Sequence, residues 1–109
     1  MSYVPNRGEV IWVNFDPQMG HEQAGRRPAL VISSARYNRA SGLALLCPLT
    51  NQAKGYPFEV VVPLGLPVTG VILADQVKSF DWQARNAVYL CTLPVEFVFT
   101  VREQVRKMV

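Results

Sequence analysis

A mostly β fold with minor helix is what this chain predicts, and three observations predict it. Its apolar residues gather in short runs rich in Val, Ile, Leu and aromatic side chains; Gly, Pro, Asn and Asp separate those runs; helical spacing dominates only at the C-terminal end. With 109 residues and 50% hydrophobic content, the chain has the size and apolar material of one domain, residues 1–109.

The elements follow in order. Glu9-Val10-Ile11-Trp12-Val13-Asn14-Phe15 predicts a first strand, bounded by Gly8 and Asp16-Pro17. Residues 29–33 predict a second. Ser33 or Ser34 then caps a short helical turn through Tyr37-Asn38-Arg39, which Gly42 ends. Residues 43–49 form a buried strand and 50–57 a polar loop. Strands follow at 58–62 and 71–74, with Pro63, Gly65, Pro67 and Gly70 marking the turn between them. Residues 75–86 are ambiguous, and 87–93 make the last strand. Beyond Pro94, which suits a first helical turn, Val98, Val101, Val105 and Met108 trace one helical face. Arg106 and Lys107 suit the negative end of that helix dipole. Five or six short strands with one terminal helix imply a small, strongly bent sheet or partly open barrel.

Composition excludes several classes. No run approaches the roughly 18 uncharged apolar residues of a membrane span. Residues 1–7 lack the apolar core of a secretory leader, so a cytoplasmic protein is expected. Cys47 and Cys91 sit inside apolar runs and are expected as buried, reduced thiols. A single histidine argues against structural zinc. The +3 net charge is uneven: residues 23–58 hold five basic side chains and no acidic one, against six basic and eight acidic elsewhere. Such a local positive field suits a polyanion, because binding releases counterions.

One segment reads as a site. Asp16 to Pro28 holds the lone His21, the carboxylate of Glu22 and the adjacent Arg26 and Arg27, in a connection far longer than a hairpin turn requires. RNA cleavage by its own 2′-hydroxyl needs a base, donors for the phosphorane charge and a proton for the leaving 5′-oxygen. With only His21, a paired-histidine solution is excluded, so arginine, carboxylate and hydroxyl groups must carry it. Asp16, Glu22, Glu59, Asp75 and Asp81 are too dispersed for a recognisable metal-ligand spacing, so neither metal nor other cofactor is expected.

The segments Gly8-Glu9-Val10-Ile11-Trp12, Phe15-Asp16-Pro17, Gly20-His21-Glu22-Gln23-Ala24-Gly25-Arg26-Arg27-Pro28, Pro48-Leu49-Thr50, Gly55-Tyr56-Pro57-Phe58-Glu59-Val60 and Leu73-Ala74-Asp75-Gln76-Val77-Lys78-Ser79 together resemble the MazF/PemK (Kid) family of toxin endoribonucleases, in order and along nearly the whole chain. The resemblance implies an SH3-like, CcdB-like barrel and a homodimer. It also implies metal-independent cleavage of single-stranded RNA at short sequences, and neutralisation by a MazE-like antitoxin. Arg27 falls on the arginine that faces the scissile phosphate and Thr50 on the threonine beside it, while Glu22 is a general base or positions Arg27 and a nucleobase. His21, which the Kid branch also carries, is a base or a base-stacking group.

Asp75 marks a departure. The Kid motif is Arg-x-Asp-Gln, whereas this chain has Leu73-Ala74-Asp75-Gln76, which transfers the phosphate-facing role to Arg27 and leaves Asp75 as base, loop holder or base reader. Arg26, Lys54 and Lys78 are candidate phosphate contacts, with Gln76 and Asn38 as base readers. Two rivals share parts of this pattern. A CcdB-like gyrase poison depends on a C-terminal Trp-Gly-Ile tail, while this sequence ends Lys107-Met108-Val109. A non-enzymatic SH3-like module explains the basic loop but not the joint match of Arg27, Thr50 and Glu22.

Overall fold

Alternating burial builds the sheet. In a computed structural model, which describes residues 3–15 and 25–109, β1 (Glu9–Asn14) pairs antiparallel with β2 (Arg26–Val31), setting Val10 opposite Leu30 and Val13 opposite Arg27. The second strand therefore starts earlier than the sequence suggests, and Arg26, Arg27 and Pro28 belong to it instead of closing a loop. Proline donates no backbone hydrogen bond and so fits a strand only where no ladder bond is needed. At Pro28 the pairing recorded is with β1 alone, so a missing N–H on the other edge interrupts no ladder.

Helix α1 (Ala35–Ser41) is punctuated as expected: the Ser34 hydroxyl accepts from the Tyr37 N–H at 3.2 Å, and Gly42 closes it at φ 75°. Next comes β3 (Ala44–Thr50), then β4 (Glu59–Val61) and β5 (Val71–Leu73). The ambiguous stretch becomes a 3-10 turn at Ala74–Gln76 and β6 (Lys78–Phe80). Strand β7 (Val88–Thr92) and helix α2 (Val95–Arg106), preceded by Pro94 at its N-cap, complete the described elements.

The seven strands are antiparallel, ordered β4-β5-β3-β2-β1-β7, with β6 also on β3. The path does not close. Strand β3 is its pivot: Ala44 to Leu46 pair with β6, whereas Leu49 and Thr50 pair with β5. Pro48, lacking an N–H, lies where those partners change.

Both faces of the bent sheet are covered. Leu30, Cys47, Leu49 and Ile72 pack with Val98 and Val101 of α2; Ile11, Val13, Ala29, Val31 and Leu46 pack with Phe80 and Trp82 on the other side. Each such Leu or Ile contributes about 1.5–3 kcal/mol through burial, so Ile72→Ala should cost roughly 2–5 kcal/mol. Cys47 and Cys91 are free and buried.

Candidate active site

The end of β3 is where buried sheet gives way to an open, polar cleft. Thr50 is almost fully buried, and its Oγ1 accepts the Gln52 N–H at 3.1 Å. With that lone pair engaged, its O–H remains available as a donor toward the cleft. A tight backbone approach fixes this position: a Cβ added at Gly70, whose φ is +101°, would lie 2.3 Å from the Thr50 carbonyl oxygen. No residue with a side chain fits there without moving Thr50.

The cleft encloses about 360 Å³ and is lined by Thr50, Gln52, Lys54, Tyr56, Glu59, Leu73, Asp75 and Gln76. Four expected site residues, Thr50, Lys54, Asp75 and Gln76, thus share one cavity. The sequence reading missed Gln52, Tyr56, Glu59 and Gly70; the Gly55-Tyr56-Pro57 turn was the available signal for Tyr56.

Arg27 approaches from the neighbouring strand. The β2–β3 pairs run Val31↔Leu46, Leu30↔Cys47, Ala29↔Pro48 and end there, so Arg27 and Thr50, each two residues further on, flank the point where the strands part. Alternation puts both on the face shared by Ala29 and Pro48. Arg26 faces the opposite way. Its Nη1 donates to Asn14 Oδ1 at 3.1 Å and its Nη2 to the Asn86 carbonyl at 3.0 Å, tying the end of β1 to the segment before β7. These two bonds use part of the guanidinium's five N–H donors, and the residue is exposed, so its expected phosphate contact is neither met nor contradicted by this geometry. Arg85 reinforces the Arg26 tie by donating to the Asn14 carbonyl at 3.2 Å, with its guanidinium 5.0 Å from the centre of the Phe80 ring.

Asn38 is corrected as a base reader. It has no exposed surface; Nδ2 donates to the carbonyls of Pro5 (2.8 Å) and Ser33 (3.2 Å), while Oδ1 accepts from Ser33 Oγ at 2.6 Å. A base edge would find these donors and this acceptor occupied. Lys78 is exposed on β6, opposite Leu46, roughly 13 Å along β3 from Thr50. It stands outside the cleft lining. His21 and Glu22 lie outside the described residues.

Asp75 acts on the core as well as the cleft. The Cys47 thiol is pushed up to about 12, first by burial and then by the negative charge of Asp75. The carboxylate therefore sits close enough to β3 for its field to be felt there. Among the described residues, no group of three His, Cys, Asp or Glu side chains is placed to hold a metal ion, and no helix is long and apolar enough to cross a membrane.

A family model described as PemK-like, MazF-like toxin of type II toxin-antitoxin system matches residues 6–109. The chain belongs to the PemK/MazF toxin family. It is similar to the endoribonuclease toxin MazF of Escherichia coli (strain K12), at 48% identity over 107 residues, 98% of this chain and 96% of that protein. Similarity to the endoribonuclease PemK of Escherichia coli is 38% over 92 residues, 81% of this chain and 69% of that one. Among solved structures, MazF (Form-I) from Deinococcus radiodurans matches at TM-score 0.93 and 50% identity, covering 98% of this chain and 97% of that chain. A MazE-MazF structure (Form-II) from the same organism matches at TM-score 0.85 and 45% identity, covering 98% and 96%. The mostly β, open antiparallel sheet with two helices agrees with this PemK/MazF likeness.

Proposed function

We propose that this toxin is a sequence-specific, metal-independent endoribonuclease that cuts single-stranded RNA and so blocks translation and growth. The 2′-oxygen attacks the adjacent phosphorus, the P–O5′ bond breaks, and the products carry 2′,3′-cyclic phosphate and 5′-hydroxyl ends. The 2′-proton passes to a base and a proton is delivered to the leaving 5′-oxygen. Arg27 stabilises the phosphorane, because its planar fork makes several N–H contacts to non-bridging oxygens that strengthen as charge develops. Thr50 donates its hydroxyl proton to the same group without adding charge. Asp75 is the base candidate inside the cleft, with Glu22 and His21 the candidates in the sequence before β2; Lys54 holds phosphate and Gln76 reads a base.

One observation carries this reading: Arg27 and Thr50 flank the parting of β2 and β3, beside the cleft that holds Lys54, Asp75 and Gln76. It is favoured over a CcdB-like gyrase poison and over an inert SH3-like module because the similar proteins MazF and PemK are named endoribonucleases. The similar MazE-MazF structures support a MazE-like antitoxin as partner. We assign the toxin to the cytoplasm as a homodimer.

The test is incubation of purified protein with single-stranded RNA in chelator, followed by analysis of the new ends. Cyclic phosphate with 5′-hydroxyl ends is expected. Uncut RNA across many sequences would sink the reading.

A further inference from the structure

We propose that the loop between β3 and β4 is a preformed arm of the RNA groove, in which Tyr56 is a stacking platform for one unpaired base and Glu59 the positioning residue that holds it. This rests on the ribonuclease reading and names a subsite within it. Glu59 stands on β4 opposite Leu73, and its carboxylate returns to the loop: Oε1 accepts from the Lys54 and Gly55 N–H groups at 3.1 and 3.0 Å, and Oε2 from Lys54 at 3.0 Å. The Glu59 N–H donates in turn to the Tyr56 carbonyl at 3.1 Å. Two successive N–H groups converge on one carboxylate because Gly55 takes φ +76°, a conformation glycine adopts without cost.

The other end of the loop is pinned too, since Gln52 N–H is held by Thr50 Oγ1. The arm is therefore tied at one end to the proposed catalytic hydroxyl and at the other to a charge-assisted clamp, whose bonds are roughly twice as strong as neutral ones. What the clamp displays is Tyr56, 58% exposed on the wall of the Thr50 cleft, while the nearby Phe58 packs against the core. An open aromatic ring in a pinned loop offers a π face that any splayed base can cover. Lys54, beside it, supplies charge for the flanking phosphate. The clamp also spends the negative charge of Glu59 on backbone donors, which reduces its repulsion of that phosphate.

The experiment maps the cuts that the wild-type protein makes in a long mixed-sequence RNA. It then measures short single-stranded RNAs spanning the cut, or mixed-sequence ones should no cut appear, that carry 2-aminopurine at successive positions; stacking quenches its fluorescence. Quenching is expected at one position beside the cut, lost in Tyr56→Ala and kept in Tyr56→Phe. KM should rise about ten-fold in Tyr56→Ala, and less in Glu59→Ala and Glu59→Gln, with kcat largely retained. Unchanged thermal unfolding of Tyr56→Ala separates platform from scaffold even where Glu59→Ala unfolds. Quenching that survives Tyr56→Ala, or a loss confined to kcat, overturns the proposal. A wild-type protein that quenches through Tyr56 yet cuts nothing fails the ribonuclease reading and leaves the platform standing; cutting without Tyr56-dependent quenching does the reverse. Neither cutting nor quenching overturns both.

Discussion

Two polar clusters flank β3, and they have opposite fates. At its start, Ser33 and Asn38 are buried and bonded to each other, to Pro5 and to the Leu45 N–H, which donates to Ser33 Oγ at 2.9 Å. At its end, Thr50 shares a cleft with Lys54, Asp75 and Gln76. Residue types alone do not separate the two. Exhaustion of hydrogen-bonding capacity does: the first cluster spends its donors and acceptors inside the fold, whereas in the second the Thr50 Oγ1 accepts the Gln52 N–H and its own proton is left over at the edge of the cleft.

The largest effect that would break this contrast belongs to the point where β2 and β3 part, beside the cleft. Arg27→Ala and Thr50→Ala should each lower the cleavage rate by roughly 100-fold or more, as removal of one oxyanion donor commonly does. Arg27→Ala should unfold at near the wild-type temperature, Thr50→Ala somewhat lower because the buried hydroxyl that holds the Gln52 N–H is lost, and both should still bind antitoxin. Undiminished cutting by Arg27→Ala would move the reacting phosphate elsewhere.

Asn38→Ala should do the converse. It strands the carbonyls of Pro5 and Ser33 and the Ser33 hydroxyl in the interior, at a cost of about 1–3 kcal/mol in denaturant unfolding. Cleavage per folded molecule should stay the same. A variant of native stability that cuts slowly would return Asn38 to the list of RNA contacts.

Cys47 lies on β3 between the two regions. Its pKa is raised from an ordinary value of 9.0 to about 12, so the fold favours the neutral thiol. Its contribution to stability is fully present below about pH 9, where the unfolded thiol is also neutral, and is lost as pH climbs toward 12. Cys47→Ala should flatten the alkaline decline in stability across that window. Asp75→Asn removes the second cause of the shift, so the thiolate absorbance of the folded protein should appear at lower pH; an unmoved titration would disconnect the carboxylate from β3.

Much of this was legible because local rules decided it. Ser34 and Gly42 bracket α1, and Val98 and Val101 set the face of α2, as spacing alone indicates. Long-range pairing was less readable. Pro28 looked like a loop residue because its tolerance in β2 depends on where β3 leaves, and Lys78–Phe80 forms a strand through its pairing with Ala44–Leu46. Arg27 and Thr50 were identified by family resemblance, while Asn38 misled because nothing in its neighbours announces Pro5 and Trp82 closing over it. Gly70 and Glu59 were invisible as site residues, since each acts by holding another segment's backbone.

The smallest effect tests whether charge in the cleft is general or directed. Lys54 lies on the arm that Glu59 clamps, but the clamp uses its backbone N–H and leaves the ammonium exposed. An ammonium is a point charge without the fork geometry of Arg27, so it should hold phosphate with little regard to the base. Lys54→Ala should therefore weaken binding of all single-stranded RNAs by a similar, few-fold factor and reduce the slope of log K against log salt by about 0.7. Cut-site preference should be unchanged. A preference that shifts with Lys54→Ala would mean that this lysine reads a base edge, making the arm a specificity element along its whole length.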